Sequence, residues 1–348
     1  MLVRFLLAAA YATALLVGQP AKAEDKAPDK VVFTSSSVSM LNLPVYTADV
    51  MGYFAAQRIA PEIIVLKNGG ATALAAVLSG SANVYIGAPS SALGAANKGA
   101  DAIVFGAIMT EVALNIVVQK AIADQHKLTT ESSIADRFGA LKGLKIGVTG
   151  AGSATHQVAQ YALRAAGLDP ERDATIVFVN SNEDMLAAYS SKRVDAVVTA
   201  NPASDQMVKD GSFLLVDGAA GAYPALKGMA HIVLVGKKSS ISPDAGRTTR
   251  LLAAINEAEI AIHDETTTTR ARDLVREKYF PQLDKAVFDH AWQSVRPAIA
   301  KSSEIAPDAM QRNIDFLKEF SDQKYTIAPD AVYTNAYLPK QQTTGVKR

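Results

Sequence analysis

The stretch 144–157, LKIGVTGAGSATHQ, constrains this chain more than any other. Leu144, Ile146 and Val148 alternate along a short strand pattern, and the small residues Gly150-Ala151-Gly152-Ser153 follow as a tight turn. Val158, Tyr161, Ala162 and Ala165 then recur at helical spacing until Gly167 stops the run. A strand that passes through glycines straight into a helix points backbone N–H groups beyond the strand's end. That is a seat for an anion or a polar ligand.

The rest of the chain repeats the same alternation. Its patterning predicts strands over 31–36, 62–66, 83–88, 103–107, 114–119, 144–149, 175–180, 196–200, 213–216 and 231–235. Helices are expected between them over 44–57, 71–78, 91–97, 133–141, 154–166, 183–190 and 205–208. This rhythm predicts parallel sheets with helices on both faces, an α/β architecture. Hydrophobic residues make up 49% of the chain and aromatics only 7%, so Ala, Val, Ile and Leu carry the core, as buried parallel strands require. After Pro243 the rhythm gives way to helices over 244–263, 269–279, 285–299 and 308–320. Pro243 and Pro307 each stand beside an Asp just before an apolar-periodic run, which is helix-start chemistry.

One segment echoes another. LAAVLSGSANV at 74–84 recurs as LAAYSSKRVDA at 186–196. Each continues as an apolar strand into a proline turn, Ala88-Pro89-Ser90-Ser91 and Ala200-Asn201-Pro202-Ala203-Ser204. Any two βα units share some pattern, but the matched proline turns favour two lobes of similar build that offer loops to a shared cleft.

Residues 1–23 read as a leader and not as part of the fold. A positive start at Met1–Arg4, an apolar run over 5–18 and the small-x-small box Ala21-Lys22-Ala23 predict export with cleavage after Ala23. The apolar run is shorter than the roughly 20 residues of a membrane span. No cysteine is present, so neither a lipidated N-terminal Cys nor a disulfide is expected, and the expected location is the periplasm, not as a lipoprotein. The remainder has the length of two domains. The 35 basic and 34 acidic residues of the whole sequence are spread without runs, which argues against nucleic acid or a membrane surface as partner.

Several partial motifs fall short of the chemistry they suggest. Gly150-Ala151-Gly152-Ser153-Ala154-Thr155 begins like a dinucleotide fingerprint, but Thr155 replaces the last glycine and Val179-Asn180 offers no acid for a ribose. There is no G-x-S-x-G elbow and no phosphate loop. His126, His156, His231, His263 and His290 are scattered without zinc spacing. His156, in the first turn of the central helix, either faces solvent or touches a ligand. Trp292 falls on an apolar stripe with Phe288, Val295 and Ile299 and is expected in the core, and Thr266–Thr269 reads as a polar helix start. No cofactor, no metal and no catalytic residue is expected.

Five features in order resemble the periplasmic substrate-binding proteins of ABC importers, in the branch serving nitrate, sulfonates, taurine and thiamine-precursor pyrimidines. They are Leu43-Pro-Val-Tyr46 with Met51-Gly-Tyr-Phe54; the turn at Leu78–Asn83, with Asn83 where the family has Asp; Leu141-Lys-Gly-Leu-Lys-Ile-Gly147; Val194-Asp195-Ala196; and Gln311-Arg-Asn-Ile-Asp-Phe-Leu317. The resemblance covers essentially the whole chain after the leader. It implies a type II periplasmic-binding-protein fold, with two doubly wound lobes joined by two hinge strands and an all-helical C-terminal extension. Lobe I would comprise 30–117 plus 236–340 and lobe II 118–235, with 114–119 and 231–235 as the hinge strands. It also implies a monomer that hands a small-molecule ligand to a permease in the inner membrane.

The resemblance maps ligand loops onto 35–41, 68–71, 89–91, 150–155, 180–182 and 201–202. The candidate ligand residues are Ser37, Ser39 and Leu41; Gly70 and Ala71; Ser90 and Ser91; Gly152, Ser153, Ala154 and Thr155; Asn182; and Asn201. All lie at C-terminal strand ends, where open α/β sheets bind ligands. Rich in Ser, Thr, Asn and Gly, they suit an anionic head held by helix starts and hydroxyls. Each is equally suited to capping a helix or making a turn. Glu111 and Lys67 are the charges nearest the predicted cleft; Glu111 would meet an amine-bearing ligand or make a solvated or inter-lobe contact. The expected ligand is a small sulfonate- or carboxylate-like organic anion, with a neutral heterocycle such as a pyrimidine or flavin precursor as the alternative. Enzymes also occur on this fold, but the pyrimidine-synthase relatives carry a cysteine-rich motif that this chain lacks. A sensory binding protein that feeds a membrane kinase remains a third reading.

Overall fold

The computed structural model describes residues 27–340 except 68, 180, 181 and 322, and except the side chains of Asn182 and Glu183. The expected leader and its cleavage point lie outside the described residues. The first sheet is built from β1 (Asp29–Ser35), β2 (Ile59–Val65), β3 (Val84–Gly87) and β4 (Ala102–Met109). The helices along it are α1 (Leu43–Val50), α2 (Tyr53–Ala56), α3 (Gly70–Leu78) and α4 (Pro89–Asn97). All eight residues of β4, AIVFGAIM, are buried, because both faces of the strand are covered. The helix expected over 44–57 is two helices, since Gly52 takes a φ of 78° that ends α1 and starts α2.

The second sheet follows with β5 (Asn115–Val118), α5 (Lys120–Gln125), α6 (Ile134–Gly139), β6 (Lys145–Val148), α7 (Ala154–Ala165), β7 (Thr175–Phe178), α8 (Asn182–Ser190), β8 (Ala196–Thr199), α9 (Ala203–Lys209) and β9 (Phe213–Val216). The α5 helix has no counterpart among the expected elements, because its 6 residues are too few to show a period. The chain then returns to the first sheet as β10 (Ile232–Lys237) and ends in α10 (Lys238–Ile241), α11 (Ala245–His263), α12 (Thr268–Tyr279), α13 (Lys285–Val295) and α14 (Ala309–Phe320).

The strand orders are β2-β1-β3-β10-β4 and β7-β6-β8-β5-β9. The two sheets share one plan. In each, the second βα unit flanks the first on one side, the third lies on the other, and a strand from across the cleft enters next to the third. The repeated segments occupy equivalent places, α3–β3 and α8–β8, so the echo in the sequence corresponds to a repeat in the topology. The sheets are mixed and not wholly parallel. β10 runs antiparallel to β3 and β4, and β5 runs antiparallel to β8 and β9. Both are the strands that enter a sheet after the chain has crossed from the other one, without a helical crossover to restore the direction. The strands expected as hinges therefore each belong to a single sheet, β5 to the second and β10 to the first, and the crossings are the segments 110–114 and 217–231.

Apolar side chains alternate between the two faces of each sheet. Ile232 and Leu234 join the cluster under α1, α11, α12 and α13, whereas Val233 and Val235 join the one under α3 and α4. Trp292 is fully buried in the first of these clusters and donates its indole N–H to Thr268 Oγ1 at 3.2 Å. In the second sheet Ile116 and Val118 face α7 while Val117 faces α8. Helix α14 reaches both halves. Ile314 and Leu317 pack with Leu93 of α4, and Phe316 and Phe320 lie against Tyr161 of α7, where Arg164 stands 5.6 Å over the Phe320 ring. The outer edge of β4 is covered by the C-terminal segment, with Val104 N donating to Val332 O and Thr334 N to Val104 O, each at 2.9 Å. Among the described residues no helix is long and apolar enough to cross a membrane.

Candidate ligand-binding site

The C-terminal ends of the parallel strands of both sheets face a common cleft. On the first side, β1 runs into a serine-rich turn that Asn42 knots together. Its side-chain amide donates to Ser37 O at 2.9 Å and to Tyr46 Oη at 2.9 Å. Burial raises the Tyr46 phenol to about 12, so it stays protonated at neutral pH. Helix α3 starts at Gly70, where a Cβ would fall on Tyr85 Oη and lie 2.7 Å from Ser91 Oγ. Glycine is needed there because the buried Tyr85 side chain and the Ser91 hydroxyl fill the space a Cβ would take. Tyr85 Oη in turn donates to Ser91 Oγ at 3.3 Å in the first turn of α4.

On the second side, β6 runs through Gly152, with a φ of 70°, into α7. Ser153 caps that helix by accepting from His156 N at 3.2 Å. Thr155 Oγ1 is 2.9 Å from both Ser153 Oγ and Thr149 Oγ1 and accepts from Thr149 N at 2.9 Å. These hydroxyls satisfy one another. The two walls touch where Met40 N donates to Asn201 O at 2.9 Å.

Between the walls lies a cavity of 80 Å³ lined by residues of the β1 turn, the starts of α3, α4 and α7, the end of β8 and the approach to β10. It is continuous in lining with an adjoining cavity of 610 Å³, since Gly70, Ser91 and Ser153 border both. Among the described residues lining the inner cavity none is Asp, Glu, Lys or Arg. Three helices thus present their N-terminal ends, with the positive end of each dipole, to a space without charged side chains. Two lining residues, Thr199 and His231, each bury a polar atom, Oγ1 and Nε2, that has no hydrogen-bond partner among the described residues. Burial alone pulls the His231 imidazole down to about 3, so it is neutral at physiological pH.

Of the expected residues, Ser37, Ser39, Leu41, Gly70, Ser91, Ser153, Ala154 and Thr155 line the inner cavity, and Ala71, Ser90 and Gly152 line the adjoining one. Asn182 opens α8, but its side chain lies outside the described residues, as do residues 68, 180 and 181 of the expected loops. Two expected residues are elsewhere. Glu111, half-buried in the first crossing, borders neither cavity. The side chain of Asn201 turns away, donating to Asp205 Oδ2 at 2.7 Å, because that buried carboxylate needs donors; only the backbone of Asn201 stays near the cleft.

Asn201 and Asp205 border a separate cavity of 340 Å³ between α9 and α13. There His290 Nδ1 is 2.7 Å from Asp205 Oδ1, and burial raises the Asp205 carboxyl while His290 and Asn201 hold it down. Thr149, Thr199, Tyr85 and His231 are cleft residues that the sequence does not single out. Each sits inside or beside a strand and carries no local motif. Among the described residues no group of three or more His, Asp or Glu could hold a metal.

Residues 39–271 match the model of the NMT1-like family. No curated protein sequence matches the chain. Among solved structures, a protein of Bordetella bronchiseptica RB50 is similar with a TM-score of 0.75 and 24% identity, over 90% of this chain and 96% of that one. The alkanesulfonate-binding protein of Xanthomonas axonopodis pv. citri, bound to MOPS, gives 0.68 and 18%, over 89% of this chain and 100% of that one. The periplasmic nitrate-binding protein of Synechocystis PCC 6803 gives 0.67 and 14%, over 90% and 87%. The resemblance carried by the sequence motifs agrees with the family match, and the two mixed sheets facing one cleft are the periplasmic-binding-protein fold. The chain belongs to the NMT1-like family.

Proposed function

We propose that this protein is an exported, monomeric solute-binding protein that captures a small organic anion, sulfonate- or carboxylate-like, and delivers it to the permease of an ABC importer. It performs no chemistry of its own in this reading. The observation that carries it is the convergence of the starts of α3, α4 and α7, from both sheets, on a cavity whose described lining is uncharged. Helix dipoles, backbone N–H groups and hydroxyls stabilise a single negative charge without the desolvation cost of a buried cation. The adjoining 610 Å³ cavity gives an organic body room beside the seated head. Similarity to the alkanesulfonate- and nitrate-binding proteins supports the ligand class, and the leader-like residues 1–23 support a periplasmic location.

The lobes are proposed to be the two sheets with their helices, divided at the crossings 110–114 and 217–231. This shifts the division expected from the sequence so that β10 falls wholly in the first lobe. Ligand bridges the lobes, and closure is favoured only by the contacts made in the closed state.

A thermal-shift panel of sulfonates, carboxylates, nitrate, pyrimidines and flavins tests the reading. A ligand present at about 100 times its Kd adds ~2.7 kcal/mol to stability by mass action. A rise in Tm with sulfonates or carboxylates supports the proposal. A rise with pyrimidines or flavins alone overturns the anion assignment and leaves the binding role. No rise, together with no small molecule released on denaturation, overturns the binding role.

A further inference from the structure

Several hydroxyls around the inner cavity are already partnered. Thr149, Ser153 and Thr155 bond to one another, and Ser91 accepts from Tyr85. Thr199 and His231, by contrast, are 1% and 4% exposed and leave Oγ1 and Nε2 without a partner among the described residues. A buried polar atom left unpaired costs about 1–3 kcal/mol, and native interiors hold few of them. Other such atoms occur among the described residues, Ser90 Oγ of the adjoining cavity among them, and two belong to residues that line the inner cavity.

Their placement adds a second observation. Thr199 ends β8 in the second sheet, whereas His231 immediately precedes β10 in the first, its backbone N–H donating to Met109 O at 3.0 Å. The two residues therefore reach the 80 Å³ cavity from different places, Thr199 from the second sheet and His231 from the end of the crossing that leads into the first, where it also borders a neighbouring cavity of 30 Å³.

Resting on the reading that this cavity holds an organic anion, we propose that Thr199 and His231 seat the head of the ligand. The oxyanion accepts one hydrogen bond from the Thr199 hydroxyl and one from the His231 Nε2–H, and this joint contact ties the two halves together. His231 acts here as a neutral donor. Burial keeps its ring uncharged, so the favourable field at the head comes from the helix starts and the imidazole supplies direction. A neutral donor pair of this kind fits a singly charged sulfonate or carboxylate. An amine head would find neither a carboxylate nor a favourable dipole in the described lining.

Calorimetric titration of the purified protein with 1-butanesulfonate and with benzoate tests the assignment, using Thr199→Val and His231→Leu beside the conservative Thr199→Ser and His231→Gln. If the assignment holds, the apolar variants weaken binding of the probe that wild type takes by about tenfold or more, the equivalent of ~1.4 kcal/mol. The ligand-free Tm of Thr199→Val and His231→Leu is expected to stay level or rise, since each removes an unpaired buried group. Thr199→Ser and His231→Gln keep a donor near the same place and restore most of the affinity. Unchanged affinity in both apolar variants overturns the assignment while leaving the functional reading intact. Failure of wild type to bind either probe overturns the anion reading and this one with it. If His231→Leu does not fold, the ring nitrogens of wild type decide: the Nε2 resonance must move on saturation with the probe, and an unmoved resonance overturns the contact.

Discussion

His231 carries an acid-side cost that is measurable without any ligand. Its folded value of about 3 lies below the ordinary 6.5, so between those values the unfolded chain binds a proton that the native chain does not. Native stability therefore falls as pH drops below about 6.5, by ~1.4 kcal/mol per unit, until the folded value is reached. Between pH 7 and pH 5 wild type should lose ~2 kcal/mol more than His231→Leu in urea denaturation. Parallel pH profiles for the two proteins would mean that the ring is solvated and free to charge. The same desolvation acts on Asp205 in the opposite direction, raising its carboxyl, but there His290 and Asn201 supply partners that His231 lacks.

At the scale of elements, the strand–turn–helix unit from Lys145 to Ala165 is the part of the cleft whose geometry is most fully accounted for. The φ of 70° at Gly152 turns the chain, Ser153 satisfies the helix start, and Thr155 ties α7 back to Thr149 at the end of β6. The corresponding unit of the first sheet uses other means. Ala88 stands at the cap of α4 without a side-chain hydrogen bond, and Ser91 is positioned by Tyr85 instead. Replacing Ser91 and Ser153 together with Ala should weaken ligand binding while the protein stays folded. The loss of the Ser153 cap is expected to cost ~1 kcal/mol in thermal or urea unfolding. Unchanged affinity in the double variant would remove these two helix starts from the seat.

For the whole molecule, two further sets of contacts outside the crossings, besides the Met40–Asn201 bond of the cleft walls, hold the halves in register. On one side α14 packs on both α4 and α7, and on the other Lys209 and His290 pair across to Asp284 and Asp205, at 3.2 and 2.7 Å. The exposed Lys209–Asp284 pair is worth little by itself, so the halves are expected to move about the crossings when the cleft fills. Small-angle scattering should show the radius of gyration fall on saturation with a binding sulfonate or carboxylate; an unchanged radius would argue against closure.

Much of this architecture is legible along the chain. The strand periods, the small-residue turn at 150–153, the prolines before the C-terminal helices and the echo of 74–84 in 186–196 are local patterns. Local sterics and hydrogen bonding fix such features wherever the segment sits. They located strands close to all ten found among the described residues and most of the loops that border the cleft. Local pattern carries no record of which sheet a strand joins. The exchange of β5 and β10, and with it the mixed direction of both sheets, was decided when the chain crossed the cleft twice. Nor does it record what packs over a polar side chain. Asn201 stands in a loop that reads as a ligand loop, yet Asp205 claims its amide. His231 reads as one scattered histidine, and only the closing of two sheets around it makes it buried, neutral and unpaired. The sequence by itself determined the elements and the ends at which a ligand could sit. Which side chains border that cleft was settled by the packing of the whole molecule, because burial and hydrogen-bond satisfaction depend on neighbours far away in the chain.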